Sequence, residues 1–234
     1  MSSLYLLALD ASSSACSAAL LRQASGQRDC LARYEMTPRA HTKRLMPMVD
    51  ELLADAGIAP QALNAIAFGR GPGSFTGLRI AAGAAQGLAF GLDCPLLGIS
   101  TLEALALQAH RRYHFRHVVT ALDARMGEVY AATWHCLNDT LSLQSDEVVI
   151  APGAFRLPAD ETDWVGVGSG FSLWDEFAVG VQASMSQHLT DLEPRAEEMA
   201  WLAARDLDAG LGRAAHERAE NYYHWDKLGE QLME

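Results

Sequence analysis

The glycine-rich segment at residues 69–79 constrains the fold of this chain more than any other feature. Its sequence is Gly69-Arg70-Gly71-Pro72-Gly73-Ser74-Phe75-Thr76-Gly77-Leu78-Arg79. The apolar run at residues 65–68 predicts a short buried strand before it, and the small residues after it predict a helix that continues to about residue 92. A glycine loop between a strand and a helix N-terminus presents backbone amides to an anion, and Arg70 and Arg79 add positive charge.

The spacing of this segment nevertheless differs from that of the common phosphate-binding loops. Gly77 is followed by Leu78 and Arg79, where a P-loop continues with Lys and then Ser or Thr. Thr76 occupies the place of the third glycine of a dinucleotide-binding fingerprint. These rules favour a structural strand-to-helix turn over a phosphate site and leave both open.

The helix that follows carries a glycine at every fourth position. Gly83, Gly87 and Gly91 fall on one face, and each lowers helix propensity by about 1 kcal/mol relative to alanine. Three such residues on one face indicate that another backbone comes close to it. That backbone belongs either to the chain's own sheet or to another subunit.

A pattern of strands and turns occurs twice along the chain. Strands are predicted at residues 4–9, 16–21 and 29–36, and again at 118–122, 128–134 and 143–150. Asp10-Ala11 opens the first turn and Asp123-Ala124 opens the corresponding second turn. We therefore predict an internally duplicated α/β protein with mixed sheets. Its N-terminal lobe is residues 1–112, and its smaller, less regular C-terminal lobe is residues 113–234.

The remaining elements are predicted from apolar periodicity and from capping residues. They are a helix at 41–56 stopped by Gly57, a strand at 96–99, a helix at 102–112 capped by Thr101, a strand at 164–168, a loop with a short helix at 170–177, and a helix at 194–209 that begins at Pro194. The polar, aromatic tail from Ala214 onward is not assigned an element.

The charge of the chain argues against nucleic-acid binding by the chain alone. The formal net charge is -11, and Lys43 and Lys227 are the only lysines. Phosphate contact depends on clustered Lys and Arg, so a chain this acidic binds polyanions poorly.

The cysteines and the apolar runs indicate a cytoplasmic protein. Cys16, Cys30, Cys94 and Cys136 are scattered, without the spacing of a zinc site or a disulfide framework. Residues 4–9 are too short for a signal peptide, and Asp10 interrupts them. No apolar run reaches the roughly 18 residues of a membrane span.

Asp10, Ser12 and Asp123 are the candidates for a vestigial nucleotide site. One aspartate in each lobe could approach a nucleotide from two sides, but Ser12, Ser13 and Ser14 replace the glycines that close backbone approach to phosphates needs. The alternative is that both aspartates only stabilise turns, and we favour it.

His110 and His114 have the i, i+4 spacing of a metal-binding pair. Arg111 and Arg112 lie between them, and no Glu follows His110 as in a zinc protease. The segment falls where a helix is predicted to end, and basic residues there favour the helix dipole. We therefore predict no metal site.

Several motifs together resemble the bacterial TsaB (YeaZ) family. They are the glycine-rich segment with Gly87-Leu88, Leu9-Asp10-Ala11-Ser12 with Cys16-Ser17, His41 with Leu45-Met46-Pro47, Gly98-Ile99-Ser100-Thr101, and Asp123-Ala124-Arg125-Met126-Gly127-Glu128-Val129-Tyr130. They occur in the family's order from about residue 4 to residue 130. The tail at residues 221–225 departs from the family's usual ending.

The resemblance implies a two-lobed actin-like fold, catalytically degenerate, and a role in making threonylcarbamoyladenosine next to the anticodon of tRNAs that read codons starting with A. In that system the related subunit TsaD transfers the threonylcarbamoyl group, TsaE is a small ATPase, and TsaB is a non-catalytic scaffold that binds TsaD. The resemblance associates the region of Gly83, Gly87 and Gly91 with the dimer contact. It implies that tRNA is met only through the complex, and it leaves open a homodimer and ATP or ADP at the complex interface.

The resemblance also bears on catalysis. The catalytic relative carries a His-x-x-x-His metal pair on its early helix, whereas here His41 is followed four residues later by Leu45. A capping or packing role for His41 is therefore expected, with no catalytic residue and no cofactor of the chain's own. The alternatives are an actin-like ATPase or small-molecule kinase using Asp10 and Asp123, and a metal-dependent glycopeptidase, against which the missing ligand at Leu45 argues.

Overall fold

Two five-stranded mixed sheets form the framework of the molecule. The computed structural model describes residues 3–37, 40–158 and 163–210. The first sheet contains β1 (Leu4–Asp10), β2 (Ala15–Ala24), β3 (Gln27–Met36), β4 (Ala65–Gly71) and β5 (Leu96–Ser100). The second contains β6 (His117–Arg125), β7 (Glu128–Leu137), β8 (Thr140–Ile150), β9 (Trp164–Val167) and β10 (Met185–Leu189).

Both sheets have the same strand order. The first is β3-β2-β1-β4-β5 and the second, read from its far edge, is β8-β7-β6-β9-β10. In each sheet the first three strands in this order pair antiparallel with one another. The fourth strand pairs in parallel with the third, and the fifth pairs in parallel with the fourth. The predicted duplication of an α/β unit is therefore confirmed, and the two lobes have the arrangement of the actin-like fold. The proposed boundary between residues 112 and 113 stays a prediction.

Five helices cover the sheets in the described part of the chain. They are α1 (His41–Ala56), α2 (Phe75–Leu92), α3 (Thr101–Tyr113), α4 (Val179–Ser184) and α5 (Ala196–Asp208). Short 3₁₀ turns occur at Pro60–Ala62, Pro152–Ala154 and Ser169–Glu176. Apolar residues of α1 and α2 pack on one face of the first sheet, and α5 packs on its other face. Helix α3 lies between the lobes, since its apolar residues belong to the cores of both.

Most predicted elements are present, and α1 shows why. Its buried residues repeat with the helical period, and it ends where Gly57 adopts a left-handed conformation with φ of 64°. The Gly57 amide donates to the Ala54 carbonyl at 3.0 Å, which closes the helix as glycine C-caps do.

Two predicted helix starts are wrong. Ser100, not Thr101, caps α3: its hydroxyl accepts from the Glu103 amide at 3.2 Å, while the buried Thr101 hydroxyl donates to the Pro72 carbonyl. Helix α5 begins at Ala196 because Arg195 is still extended, with φ of -133° and ψ of 143°. The sequence also did not reveal α4 and β10, which are short and lack a clear period.

The tail from Ala214, including residues 221–225, lies outside the described residues. Within the described ranges, none of the helices combines the length and the apolar character needed to cross a membrane.

Candidate functional site

The glycine-rich segment is mostly regular structure. Residues 69–71 complete β4, and Phe75 already begins α2, so only residues 72–74 form the loop itself. The glycine-rich segment is therefore a loop over three residues only, which is shorter than the sequence predicts. Ser74 caps the helix, since its hydroxyl accepts from the Gly77 amide at 3.4 Å.

This loop packs backbone to backbone on the turn between β1 and β2. The Ser74 amide donates to the Ser12 carbonyl at 2.7 Å. A Cβ on Gly77 would overlap the Ala11 carbonyl oxygen and lie 2.9 Å from its carbon, and a Cβ on Gly73 would overlap the Ser12 carbonyl oxygen. The glycines thus allow two parts of the same chain to approach closely, which favours the structural interpretation of the loop over a phosphate cradle.

Asp10 is fully buried at the start of that turn. Its two carboxylate oxygens accept from the amide and the hydroxyl of Ser12, at 3.2 and 3.1 Å. Gly69 makes room for it, because a Cβ there would overlap the carboxylate. Burial raises the pKa of Asp10 from 3.8 to about 7, against the opposing effect of the Ser12 hydrogen bonds. A carboxyl held by its own turn in this way is poorly placed to serve Mg-ATP.

The raised pKa of Asp10 predicts a pH-dependent stability. The folded state keeps a proton that the unfolded state loses near pH 3.8, so the free energy of unfolding decreases as pH rises from about 4 to about 7 and then levels off. The slope is at most about 1.4 kcal/mol per pH unit. Asp10→Asn removes this contribution, so the variant gains stability relative to the native protein across that window.

Urea denaturation at pH 4.5, 6 and 8 measures this difference. Glu198, whose pKa burial also raises to about 7, is present in both proteins, so its contribution cancels. Parallel stability–pH curves for the two proteins would contradict a raised pKa at Asp10.

Asp123 is held by its own turn in a similar way. Its carboxylate accepts from the Arg125 amide at 2.8 Å and pairs with the Arg125 guanidinium at 3.1 Å. Its amide donates to the Ser169 hydroxyl at 3.2 Å. These contacts support the turn-stabilising interpretation of both aspartates, while the candidate nucleotide role of Asp10, Ser12 and Asp123 stays a prediction.

The histidines weighed for metal binding have other partners. His41 Nε2 donates to the Ser13 carbonyl at 3.1 Å, and Leu45 is buried in the core. His110 Nδ1 donates to the Phe115 carbonyl at 2.8 Å, while its Nε2 accepts from the Asp139 amide at 3.4 Å. His114 is the left-handed residue that ends α3. Both ring nitrogens of His110 are therefore used within the fold.

The glycine face of α2 points away from the protein. Gly83, Gly87 and Gly91 are exposed, and a Cβ on any of them would meet none of the described residues within 4 Å. The sheet-facing side of α2 is instead built from alanines: Ala81, Ala85 and Ala89. The alternative that the glycine face packs on the chain's own sheet is therefore wrong.

Phe90 is a residue of this face that the sequence did not single out. It is 63% exposed, and it lies seven residues after Gly83 and three after Gly87, which places it beside them on the helix. Its sequence position could have identified it, because it lies on the same helix face as the glycines. The solvated face of a helix usually carries polar side chains, so a phenylalanine there indicates a contact surface.

A groove between the lobes lies next to the glycine loop. It has a volume of about 450 Å³ and is lined by Arg70, Phe75, Tyr130, Val148 and Val149, among others. Beside it, Glu147 of β8 accepts from the Ser100 hydroxyl and pairs with Arg70 at 3.5 Å, which joins the second lobe to the first.

Comparison with known proteins places these features in a family. Residues 28–230 match the family model described as TsaD, tRNA N6-adenosine threonylcarbamoyltransferase. The tRNA threonylcarbamoyladenosine biosynthesis protein TsaB of Escherichia coli is 38% identical over 234 residues, covering 95% of this chain and 97% of that protein. TsaB of Bacillus subtilis is 32% identical over 207 residues, covering 84% and 86%. The structure of YeaZ from Pseudomonas aeruginosa superposes with a TM-score of 0.83 at 41% identity, covering 91% of this chain and 96% of that one.

Proposed function

Because this chain belongs to the TsaB (YeaZ) family of tRNA threonylcarbamoyladenosine biosynthesis proteins, we propose that it is a non-catalytic scaffold for that modification. In this role it binds and supports the catalytic subunit TsaD, together with TsaE, in modifying tRNAs that read codons starting with A. The observation that carries the proposal is the exposed glycine face of α2, formed by Gly83, Gly87 and Gly91.

The positions at which an enzyme of this fold would need a metal ligand or a free carboxylate have structural roles in this chain. Leu45 stands where the catalytic relative has its second metal-binding histidine, and it is buried in the core. Asp10 is fully buried and bonded to Ser12, and Asp123 is bonded to Arg125. These contacts support an accessory subunit rather than an ATPase, a kinase or a glycopeptidase.

The glycine face is suited to binding another helix. Without side chains at Gly83, Gly87 and Gly91, a partner backbone can come close enough for dense van der Waals contact along a whole helix. Phe90 at the edge of this face supplies a large apolar side chain of the kind that anchors interfaces. We assign this surface to the contact with TsaD, and a homodimer through the same surface is the competing assembly.

The remaining roles fall to other subunits of the complex. A chain with a net charge of -11 leaves the main share of tRNA binding to its partners. We assign no cofactor to this chain and place any ATP or ADP at the complex interface. The proposed location of the complex is the cytoplasm.

Reconstitution of the modification tests this function. Purified TsaD, TsaE, the threonylcarbamoyl-adenylate donor and tRNA are combined with and without this chain, and threonylcarbamoyladenosine is measured after nuclease digestion. We expect multiple turnovers only when the chain is present, and negligible ATP hydrolysis by the chain alone. Equal product with and without the chain would reject the scaffold role. ATP turnover by the chain that Asp10→Asn abolishes would favour an ATPase instead.

A further inference from the structure

The end of α3 concentrates positive charge in an otherwise acidic protein. Residues 110–117, the basic segment, have the sequence HRRYHFRH, with three arginines, three of the chain's eight histidines and no acidic residue. The chain as a whole carries 29 Asp and Glu against 18 Lys and Arg. This local excess is not explained by the turn contacts of His110 described above.

Three basic side chains of the segment are exposed to solvent. Arg112, His114 and Arg116 are exposed. Within the residues that the structure describes, Asp139 is the only acidic side chain that forms an ion pair with this segment, at 3.9 Å from Arg111. Neither Arg112 nor Arg116 forms an ion pair with a described residue, so both guanidinium groups can bind an outside anion.

Helix stability accounts for only part of this pattern. Arg111 and Arg112 lie in the last turn of α3, where cations interact favourably with the helix dipole. Arg116 comes after the helix has ended at His114, so the helix dipole gives no reason for a cation at this position.

Two aromatic rings lie among these cations. Tyr113 is 46% exposed, and its ring stacks on that of Phe115 with centroids 5.2 Å apart and planes 16° from parallel. The hydrogen bond from His110 to the Phe115 carbonyl holds this turn in place. The result is a pair of stacked aromatic rings whose residues are adjacent in sequence to Arg112 and Arg116.

We propose that the basic segment is a direct RNA contact of this chain, binding tRNA phosphates through Arg112 and Arg116 and an unpaired base on Tyr113. Arginine forks bind phosphate oxygens bidentately, and bases of single-stranded RNA stack on exposed aromatic rings. The inference rests on the proposed function, which supplies tRNA as the RNA. With a net charge of -11, this contact adds to binding by the partner subunits and does not replace it.

The RNA surface and the partner surface are compatible. Helix α2 packs on one face of the first sheet, whereas α3 contributes to the core on the other face and to the second lobe. Binding of a partner to α2 therefore does not require a contact with the basic segment.

The double variant Arg112→Glu/Arg116→Glu tests the contact in the assembled complex. We expect the affinity of the complex for tRNA, measured by fluorescence anisotropy, to fall about tenfold near physiological salt. The slope of log affinity against log salt concentration should also become shallower by about 1.4 to 1.8, the value for two lost phosphate contacts. In the modification assay, KM for tRNA should rise by a similar factor while kcat is retained.

A matched control separates local contact from general repulsion. Arg22→Glu/Arg156→Glu changes the charge by the same amount at exposed positions outside the segment, and should leave tRNA affinity within about twofold, since exposed charges beyond the Debye length are largely screened. Unchanged affinity in the Arg112/Arg116 variant, or an equal loss in both variants, would overturn the proposal. The anisotropy titration needs no turnover, so failure of the scaffold role in the modification assay would be seen separately.

Discussion

Replacing Gly77 with alanine should destabilise this protein severely, whereas the same replacement at Gly83, on the same helix, should stabilise it. The Cβ of alanine at position 77 would overlap the Ala11 carbonyl oxygen, and the obstacle is backbone, which cannot rotate away as a side chain can. We expect a loss of about 3 kcal/mol or more in the free energy of unfolding. At Gly83 the Cβ meets no described residue within 4 Å, and helix propensity predicts a gain of about 0.5 to 1 kcal/mol.

Urea denaturation followed by circular dichroism measures both changes under the same conditions. Gly83→Ala is the control because it adds the same methyl group to the same helix at an exposed position. If Gly77→Ala proves too unstable to purify, the melting temperature of the protein in cell lysate gives the same ordering. Equal stabilities of the two variants would show that the loop does not pack tightly on the β1–β2 turn.

The fold could be predicted largely because its signals are local. Strand β1 is a continuous apolar run, α1 repeats its apolar residues with the helical period, and the Asp10 and Asp123 turns recur in matching places. The wrong start of α3 arises from a contact with a distant part of the chain. Thr101 is a good capping residue by type, but its hydroxyl donates a hydrogen bond to the Pro72 carbonyl. The preceding residue, Ser100, therefore caps the helix instead.

The candidate site could not be predicted in the same way, because its structure depends on contacts between residues that are far apart in the sequence. A glycine loop before a helix has the same sequence pattern whether it packs against a bound phosphate or against another part of the chain. Here the neighbour is the turn at Ala11 and Ser12, more than 60 positions earlier in the chain. The orientation of α2 was equally hidden, because alanines line one side and glycines the other, and hydrophobic periodicity separates these small residues poorly.

The exposure of the glycine face leads to the second large effect. Gly87→Leu should weaken binding to the catalytic partner at least about tenfold, or about 1.4 kcal/mol, while leaving the fold intact. The Cβ of the leucine would meet none of the described residues within 4 Å, and leucine is a better helix former than glycine, so the melting temperature should stay the same or rise. In the complex the same side chain would occupy the space that a closely packed partner helix needs.

Titration calorimetry with TsaD measures this loss, and Gly180→Leu provides its control. Gly180 is also an exposed helical glycine with no described residue within 4 Å of its Cβ, but it lies in α4 beside the second sheet. The control should bind TsaD like the native chain. Sedimentation of each variant without TsaD shows whether a homodimer uses the same face, because Gly87→Leu would then also shift the chain toward monomer. Native affinity in the Gly87→Leu variant, with a normal melting temperature, would exclude α2 from the interface and leave the exposure of its three glycines without a function.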